Sequence, residues 1–270
     1  MSVILGVDVG GSTTKIVALD PKPIGMLQVR AGDQLTSLYG AIGNFLHQYH
    51  LSLKDVKKIV LTGVGASLIE EDIYGIPTCK VNEFAAIGKG GLLLADEEDA
   101  LVVSMGTGTA FVYAKGNQIE HIGGSGVGGG TLIGLSQKLI GETAFDAILS
   151  YAESGDLSHV DLSVQDISTA DISTLPKNVT ASNFGRIKST ATKGDLALGL
   201  INMIFQTAGV MAAFTAKARG FKKIIVTGSL TAIPFGKEVF EGVAALHGIP
   251  FIIPENATFA TALGAAALQK

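Results

Sequence analysis

The sequence predicts an α/β fold of two related halves, each a mixed sheet flanked by helices, with a ligand cleft between them. Three observations carry this expectation. Ile4 to Leu19 (ILGVDVGGSTTKIVAL) and Leu101 to Ala114 (LVVSMGTGTAFVYA) each pass from a β-branched run through a Gly/Ser/Thr turn into a second apolar run, the pattern of a β-hairpin. Lys57 to Ala66 (KKIVLTGVGA) and Lys222 to Ala232 (KKIIVTGSLTA) each read as a strand ending in Thr-Gly before small residues. The order of hairpin, then strand-Thr-Gly, occurs twice, which marks an internal repeat.

Length and composition agree. A chain of 270 residues can form two modest halves around a well-buried core. Hydrophobic residues make up 47% and charged residues 16%, the balance of a folded chain. A net charge of −4, with no local cluster of Lys and Arg, argues against a nucleic-acid partner. Cys79 is the single cysteine, which excludes an intrachain disulfide framework and fits a reducing compartment. No uninterrupted apolar run reaches transmembrane length, so a cytoplasmic protein without a membrane partner is expected.

In chain order, Met1 to Val9 reads as a strand rather than a leader. Gln34 to Tyr49 has amphipathic helical spacing. Thr78 to Val81 reads as a strand, Asn82 as a helix cap, and Phe84 to Leu94 as a helix interrupted by glycine. The acidic segment ADEEDA, Ala95 to Ala100, divides the halves into 1–95 and 96–270. Gly123 to Gly130 reads as a glycine-rich loop feeding one helix, Leu132 to Leu149. Leu196 to Ala218 is apolar around much of its circumference, as in a core or interface helix. Phe259 to Leu268 is a small-residue helix suited to close packing, and Ser154 to Lys177 is polar and without clear periodicity.

The glycines gather where apolar runs end, and that placement points to chemistry. A polyphosphate needs many N–H and O–H donors, and successive backbone N–H groups in Gly/Ser/Thr turns form an anion-binding concavity. Gly10, Gly11, Ser12, Thr13 and Thr14 supply such donors in the first turn, and Gly106, Thr107, Gly108 and Thr109 in the second. Lys15 is either a compensating charge or a solvated strand lysine. Asp8 interrupts a run that otherwise reads as a buried strand. It either serves Mg²⁺, directly or through water, or caps its own turn.

DVGGSTTK at Asp8 to Lys15 resembles the first phosphate motif of the actin/hexokinase/heat-shock-ATPase superfamily, and SMGTGTA at Ser104 to Ala110 its second. VTGSL at Val226 to Leu230 resembles the superfamily's adenosine motif. GGSGVGGGTLIGL at Gly123 to Leu135, NEFAAIGKG at Asn82 to Gly90 and TASNFG at Thr180 to Gly185 resemble the type II pantothenate kinases. The resemblance spans nearly the whole chain. It implies ribonuclease-H-like halves around an ATP cleft, and transfer of the ATP γ-phosphoryl group to pantothenate with Mg²⁺ present. Pantetheine and pantothenamides are the related acceptors, and a homodimer is implied.

The resemblance also assigns residues. Glu83 matches the catalytic base, whereas chemistry alone favours an acid complementing a helix N-terminus. Asp8, Val9, Gly10, Gly11, Ser12, Thr13, Thr14, Lys15, Thr107 and Gly108 match phosphate-binding positions. Gly129, Gly130, Thr131, Leu132 and Ile133 border the nucleotide by this match, Phe145 lies beside it, and Ser229 stands at its adenosine end. His121 occupies the position where the family usually has Arg, and imidazole lacks the fixed cationic fork of guanidinium. Arg186 is a candidate substitute.

Three rival readings have different requirements. Activators of 2-hydroxyacyl-CoA dehydratases share the first motif but hold an iron–sulfur cluster with two Cys from each of two subunits, and Cys79 alone falls short. A sugar kinase of the same superfamily calls for Asp at the base position and lacks the long glycine loop. A nucleotide-binding protein without chemistry tolerates loss of Glu83.

Overall fold

The computed structural model describes residues 2–30, 32–168 and 176–269, so part of the polar stretch Ser154 to Lys177 lies outside the described residues. The first half contains β1 (Val3–Val9), β2 (Thr13–Asp20), β3 (Lys22–Arg30), α1 (Gln34–Gln48), β4 (Val56–Thr62), β5 (Thr78–Lys80) and α2 (Glu83–Ala95). The second begins with β6 (Asp99–Met105), β7 (Thr109–Lys115), β8 (Gln118–Ser125), α3 (Gly129–Leu139) and α4 (Phe145–Ala152). It continues through β9 (Leu162–Ser163), α5 (Val164–Ile167), β10 (Thr180–Ser182) and α6 (Lys193–Arg219). It closes with β11 (Ile224–Thr227), α7 (Phe235–His247), β12 (Phe251–Ile252) and α8 (Ala260–Ala267).

The two main sheets have one topology. The first runs β3-β2-β1-β4-β5 and the second, read from its other edge, β8-β7-β6-β11-β12. In each, the hairpin and its third strand pair antiparallel, and the two remaining strands add in parallel. Both Thr-Gly pairs end the fourth-ordered strand, and the glycines share one conformation: Gly63 at φ 87, ψ 167 and Gly228 at φ 95, ψ 174. Positive φ at these ψ values is essentially glycine territory, which explains why both copies keep it. The repeat seen in sequence is therefore a repeat in structure.

Strand alternation sorts the side chains into two layers. Val3, Leu5, Val7 and Val9 join Leu38, Ile42 and Phe45 of α1 in one buried cluster. Ile4, Val17, Leu19 and Val60, on the opposite face of the same sheet, pack with Ala262, Leu263 and Ala266 of α8. Meanwhile α2 covers the second sheet, with Ile87 and Leu92 against Val102, Val112 and Ile225. Each sheet is thus covered by a helix from the other half, and α2 and α8 cross between the sheets. Gly90 lies against the Ala260 carbonyl oxygen and Gly264 against that of Ala86, so each helix opens a notch for the other's backbone.

Several expectations change on this evidence. The segment Phe84 to Leu94 is an unbroken helix, because its glycines serve close packing rather than interruption. Leu132 to Leu149 is not one helix: Gly141 at φ 74 ends α3, and Glu142 Oε1 accepts N–H bonds from Thr143 and Ala144 as α4 begins. The first part of the predicted glycine loop, Gly123 to Ser125, is the end of strand β8. Helix α6 is long and apolar enough to cross a membrane, contrary to the expectation that no segment is, but 67% of its apolar window is buried within the protein. It forms the centre of the second half's core with Ile201, Ile204, Phe205 and Ala212.

Candidate active site

The register of the first sheet builds a polar row at the carboxyl end of its strands. Asp8 on β1 pairs with Lys15 on β2 on one side and with Thr62 on β4 on the other. This row lies on the α8-facing side, where Ile4 and Val60 precede it along their strands. Lys15 Nζ stands 3.7 Å from Asp8 Oδ2, and both side chains are almost fully buried. The lysine is therefore not a solvated strand residue but the counter-charge of a buried carboxylate. Burial pushes the Asp8 carboxyl above its ordinary range, and the charge and hydrogen bond of Lys15 pull against that rise.

Glu83 reaches the same place from another element. Thr62 Oγ1 donates to the Val81 carbonyl at 3.2 Å, tying the row to the connection that leads into α2. Asn82 Oδ1 accepts from the Ala85 N–H at 3.0 Å, capping the helix, and Glu83 is the first residue inside it. Such a cap stabilises by about 1 kcal/mol, and an acid in the first turn complements the helix dipole. Burial raises the Glu83 pKa, the Asp8 charge raises it further, and Lys15 lowers it. The three charged groups thus form one electrostatic unit drawn from β1, β2 and α2. Gly63 completes it, since a Cβ there would come within 2.6 Å of Asp8 Oδ1.

Each of the two Gly/Ser/Thr turns closes on a backbone hydrogen bond. Gly10 N–H donates to the Thr13 carbonyl at 3.0 Å, and Gly106 N–H to the Gly108 carbonyl at 2.8 Å. Gly11, Ser12 and Thr107 are left exposed at the tips. The start of α3 spends its first donors within the protein. Gly129 and Gly130 donate their N–H groups to the carbonyls of Gly106 and Thr107, both at 2.9 Å. Thr109 Oγ1 donates to the Val127 carbonyl at 2.8 Å, and Thr131 Oγ1 donates to that of Gly126 at 3.0 Å. The glycine-rich segment therefore locks the second turn in place; a side chain at Gly128 would come within 2.6 Å of the Thr107 carbonyl oxygen.

Other sequence candidates separate by where their side chains go. Val9, Thr14 and Leu132 are buried in the layers beneath the site, so only their backbones can meet a ligand. Ile133 and Thr131 are half-buried on the first turn of α3, and Ser229 opens the 3-10 turn after Gly228. Phe145 begins α4, half-buried against the second half's core. Next to it, Asp146 meets Arg30 of β3 at 3.4 Å, an exposed ion pair that links the halves. His121 stacks face to face on Phe84, with ring centroids 3.7 Å apart and an 8° interplanar angle. It is thereby fixed beside the residue that follows Glu83. Arg186 is not brought to this cluster; it pairs with Asp166 at 2.7 Å in the β9–β10 region. Sequence reasoning missed Thr62 and Phe84, although the Thr-Gly repeat and the adjacency to Glu83 were signals for them.

Comparisons with known proteins agree with this architecture. The family model described as Fumble matches residues 96–233, just over half of the chain. A type II pantothenate kinase from Staphylococcus haemolyticus is 30% identical over 273 residues, covering 97% of this chain and 98% of the relative. The chain belongs to the type II pantothenate kinase family. Two solved structures resemble this family member in fold alone. One is the activator of the 2-hydroxyisocaproyl-CoA dehydratase from Clostridium difficile with bound ADPNP, at TM-score 0.68, 15% identity and coverage of 98% and 93%. The other is a ROK family glucokinase from Streptomyces griseus in complex with glucose and AMPPNP, at TM-score 0.62, 16% identity and 98% coverage of both chains. The halves are the ribonuclease-H-like halves expected from the sequence.

Proposed function

We infer that this protein transfers the γ-phosphoryl group of ATP to the primary hydroxyl of pantothenate, giving 4'-phosphopantothenate in the first step towards coenzyme A. The observation that carries the reading is the buried Asp8–Lys15 pair beside Glu83 at the start of α2, in a chain of this family. Phosphoryl transfer depends on positioning and charge stabilisation more than on covalent help from the protein. The exposed tips of the two turns hold the phosphates from opposite halves, and the 3-10 turn at Ser229 receives the adenosine. Glu83 orients the acceptor hydroxyl and takes its proton, and its raised pKa makes it a better base than an ordinary glutamate.

The donor set fits magnesium at Asp8. The carboxylate is buried, and its ion-pair partner Lys15 sits at 3.7 Å, so lone pairs remain for other ligands. Among the described residues no group of three or more His, Cys, Asp or Glu gathers as a metal cage, so water and phosphate oxygens would complete the shell. Bound there, Mg²⁺ neutralises charge on the phosphates. Asp8→Asn is expected to raise the Mg²⁺ concentration needed for half-maximal turnover while circular dichroism stays unchanged. An unaltered Mg²⁺ titration leaves Asp8 with only its structural pairing to Lys15.

His121 supports the acceptor assignment only in part. A stacked imidazole offers a hydrogen bond but no permanent charge, so pantetheine and pantothenamides, which lack the carboxylate of pantothenate, are admitted as related acceptors. An ATP-consumption screen over pantothenate, pantetheine, N-acetylglucosamine and no acceptor tests the function. Stimulation by the first two is the expected result, and stimulation by the sugar alone contradicts it.

A homodimer and a cytoplasmic setting complete the proposal, together with the division of the chain at residue 95/96, where the strands change sheet. Helix α6 leaves Met211 and Phe214 exposed, and α3 leaves Leu135 and Leu139, an apolar surface suited to a second copy. Light scattering at micromolar concentration is expected to give twice the chain mass, and Phe214→Glu to lower it. A monomeric wild type rejects the dimer.

A further inference from the structure

The internal repeat pairs residues across the cleft. Asp8 and Val9 correspond to Ser104 and Met105, and Thr62, Gly63 and Val64 to Thr227, Gly228 and Ser229. The register supports this, with Asp8 opposite Thr62 and Ser104 opposite Thr227. So does packing: a Cβ on Gly63 would meet the Val9 carbonyl oxygen at 2.7 Å, and one on Gly228 that of Met105 at 2.5 Å. A 3-10 turn follows each glycine, Val64–Leu68 in the first half and Ser229–Ala232 in the second. The second turn begins with the residue assigned to the adenosine end. Its counterpart has no assigned role.

The chemistry of the two turns differs in an informative way. Ser229 is polar and half-buried, whereas Val64 and Leu68 are 66% and 60% exposed. The turn is nonetheless held firmly, because Gly65 sits against Val9 and the side chain of Gln34, at the start of α1. Leu35, the next residue of α1, is also exposed. A turn that presents Val64 and Leu68, with Val64 adjoining a glycine whose added Cβ would meet Asp8, calls for an apolar ligand group close to the reacting centre.

We propose that the turn Val64–Leu68 is the acceptor-side counterpart of the adenosine turn, with Val64 and Leu68 forming an apolar subsite for the methyl-bearing carbon beside the phosphorylated hydroxyl. This rests on the reading of the protein as a pantothenate kinase. The primary hydroxyl of pantothenate is attached to a carbon next to one bearing two methyl groups, a compact apolar unit adjoining the reacting oxygen. Val64 contacts those methyls and Leu68 lies further along the acceptor. The subsite sets acceptor affinity without touching the nucleotide.

The test compares wild type, Val64→Asn, Val64→Ile and Leu68→Gln. Wild type is first assayed with pantothenate and ATP, and failure to phosphorylate pantothenate overturns both the functional reading and the subsite. With activity established, Val64→Asn is expected to raise the KM for pantothenate about tenfold, the scale of one lost apolar contact in a pocket. Leu68→Gln produces a smaller rise, and Val64→Ile restores near-normal KM. The KM for ATP stays within about twofold throughout, and the exposed positions leave Tm and molecular mass unchanged. An unchanged pantothenate KM in Val64→Asn overturns the subsite while the functional reading stands. A loss of mass by light scattering does so too, and shows the turn to be covered by a second copy.

Discussion

Glu83→Gln is expected to lower kcat by about 10²–10⁴ while ATP affinity barely changes, the size of effect that removal of a general base produces. The substitution keeps length and hydrogen bonding and removes only the basic carboxylate. On the proposed reading the exposed turn tips and the Ser229 turn hold the nucleotide from other elements, so its affinity should survive. The pH dependence supplies a second readout. Burial and the neighbouring Asp8 raise the Glu83 pKa more than Lys15 lowers it, so the acid limb of kcat/KM is expected above the ordinary glutamate range. Activity falls as pH drops through that raised value, since the protonated acid cannot accept the acceptor's proton. Stability has the opposite sign. A carboxyl whose folded pKa is raised disfavours the folded state once pH exceeds its unfolded value, so Glu83→Gln at neutral pH should leave Tm unchanged or higher. A matching loss of Tm and kcat would instead make Glu83 a structural residue.

Gly90→Leu is expected to destabilise the protein by about 3 kcal/mol or more, lowering Tm by roughly 10 °C, because the added side chain collides with backbone rather than with a movable side chain. Its Cβ would overlap the Ala260 carbonyl oxygen at the crossing of α2 and α8. The same crossing carries Glu83 on α2 and seats α8 on the first sheet. Residual activity in any folded fraction should therefore be lost as well. Gly43→Ala is the matched control. Gly43 is an exposed glycine of α1 with nothing within 4 Å of the added Cβ, so alanine should stabilise by about 0.5–1 kcal/mol. Equal effects at the two positions would show that helix propensity, not close packing, governs Gly90.

The sequence made the repeat legible because both copies keep the same local grammar: a hairpin turn of Gly and hydroxyl residues, then Thr-Gly at a strand end. It hid the third strand of each sheet. In β3, Pro23 and Gly25 break the apolar alternation, and β8 ends in glycines that read as loop. The exchange of α2 and α8 between halves was equally hidden, because a small-residue helix states that it packs closely but not against what. Glycines at positions 88, 90 and 91 looked like interruptions for the same reason. At the site, Asp8 and Glu83 were both legible, one as an anomalous acid in a buried strand and one from family resemblance. Their proximity was not, because it depends on the register that places Asp8 beside Thr62 and on the Thr62–Val81 hydrogen bond. Lys15 misled most easily. A lone lysine in a strand usually reaches solvent, and only the Asp8 pairing explains its burial.

Phosphoryl transfer in a single turnover tests the central claim most directly. Wild type and Glu83→Gln are each mixed with stoichiometric ATP and Mg²⁺, bound nucleotide is quantified, and excess pantothenate is then added while phosphorus NMR follows the products. The wild type should convert its bound ATP into ADP and one equivalent of a phosphomonoester on the primary hydroxyl. The variant, with the same ATP bound, should remain unreacted on that timescale. Equal conversion by the two proteins would contradict the role of Glu83. Release of inorganic phosphate whether or not pantothenate is present would contradict the kinase itself.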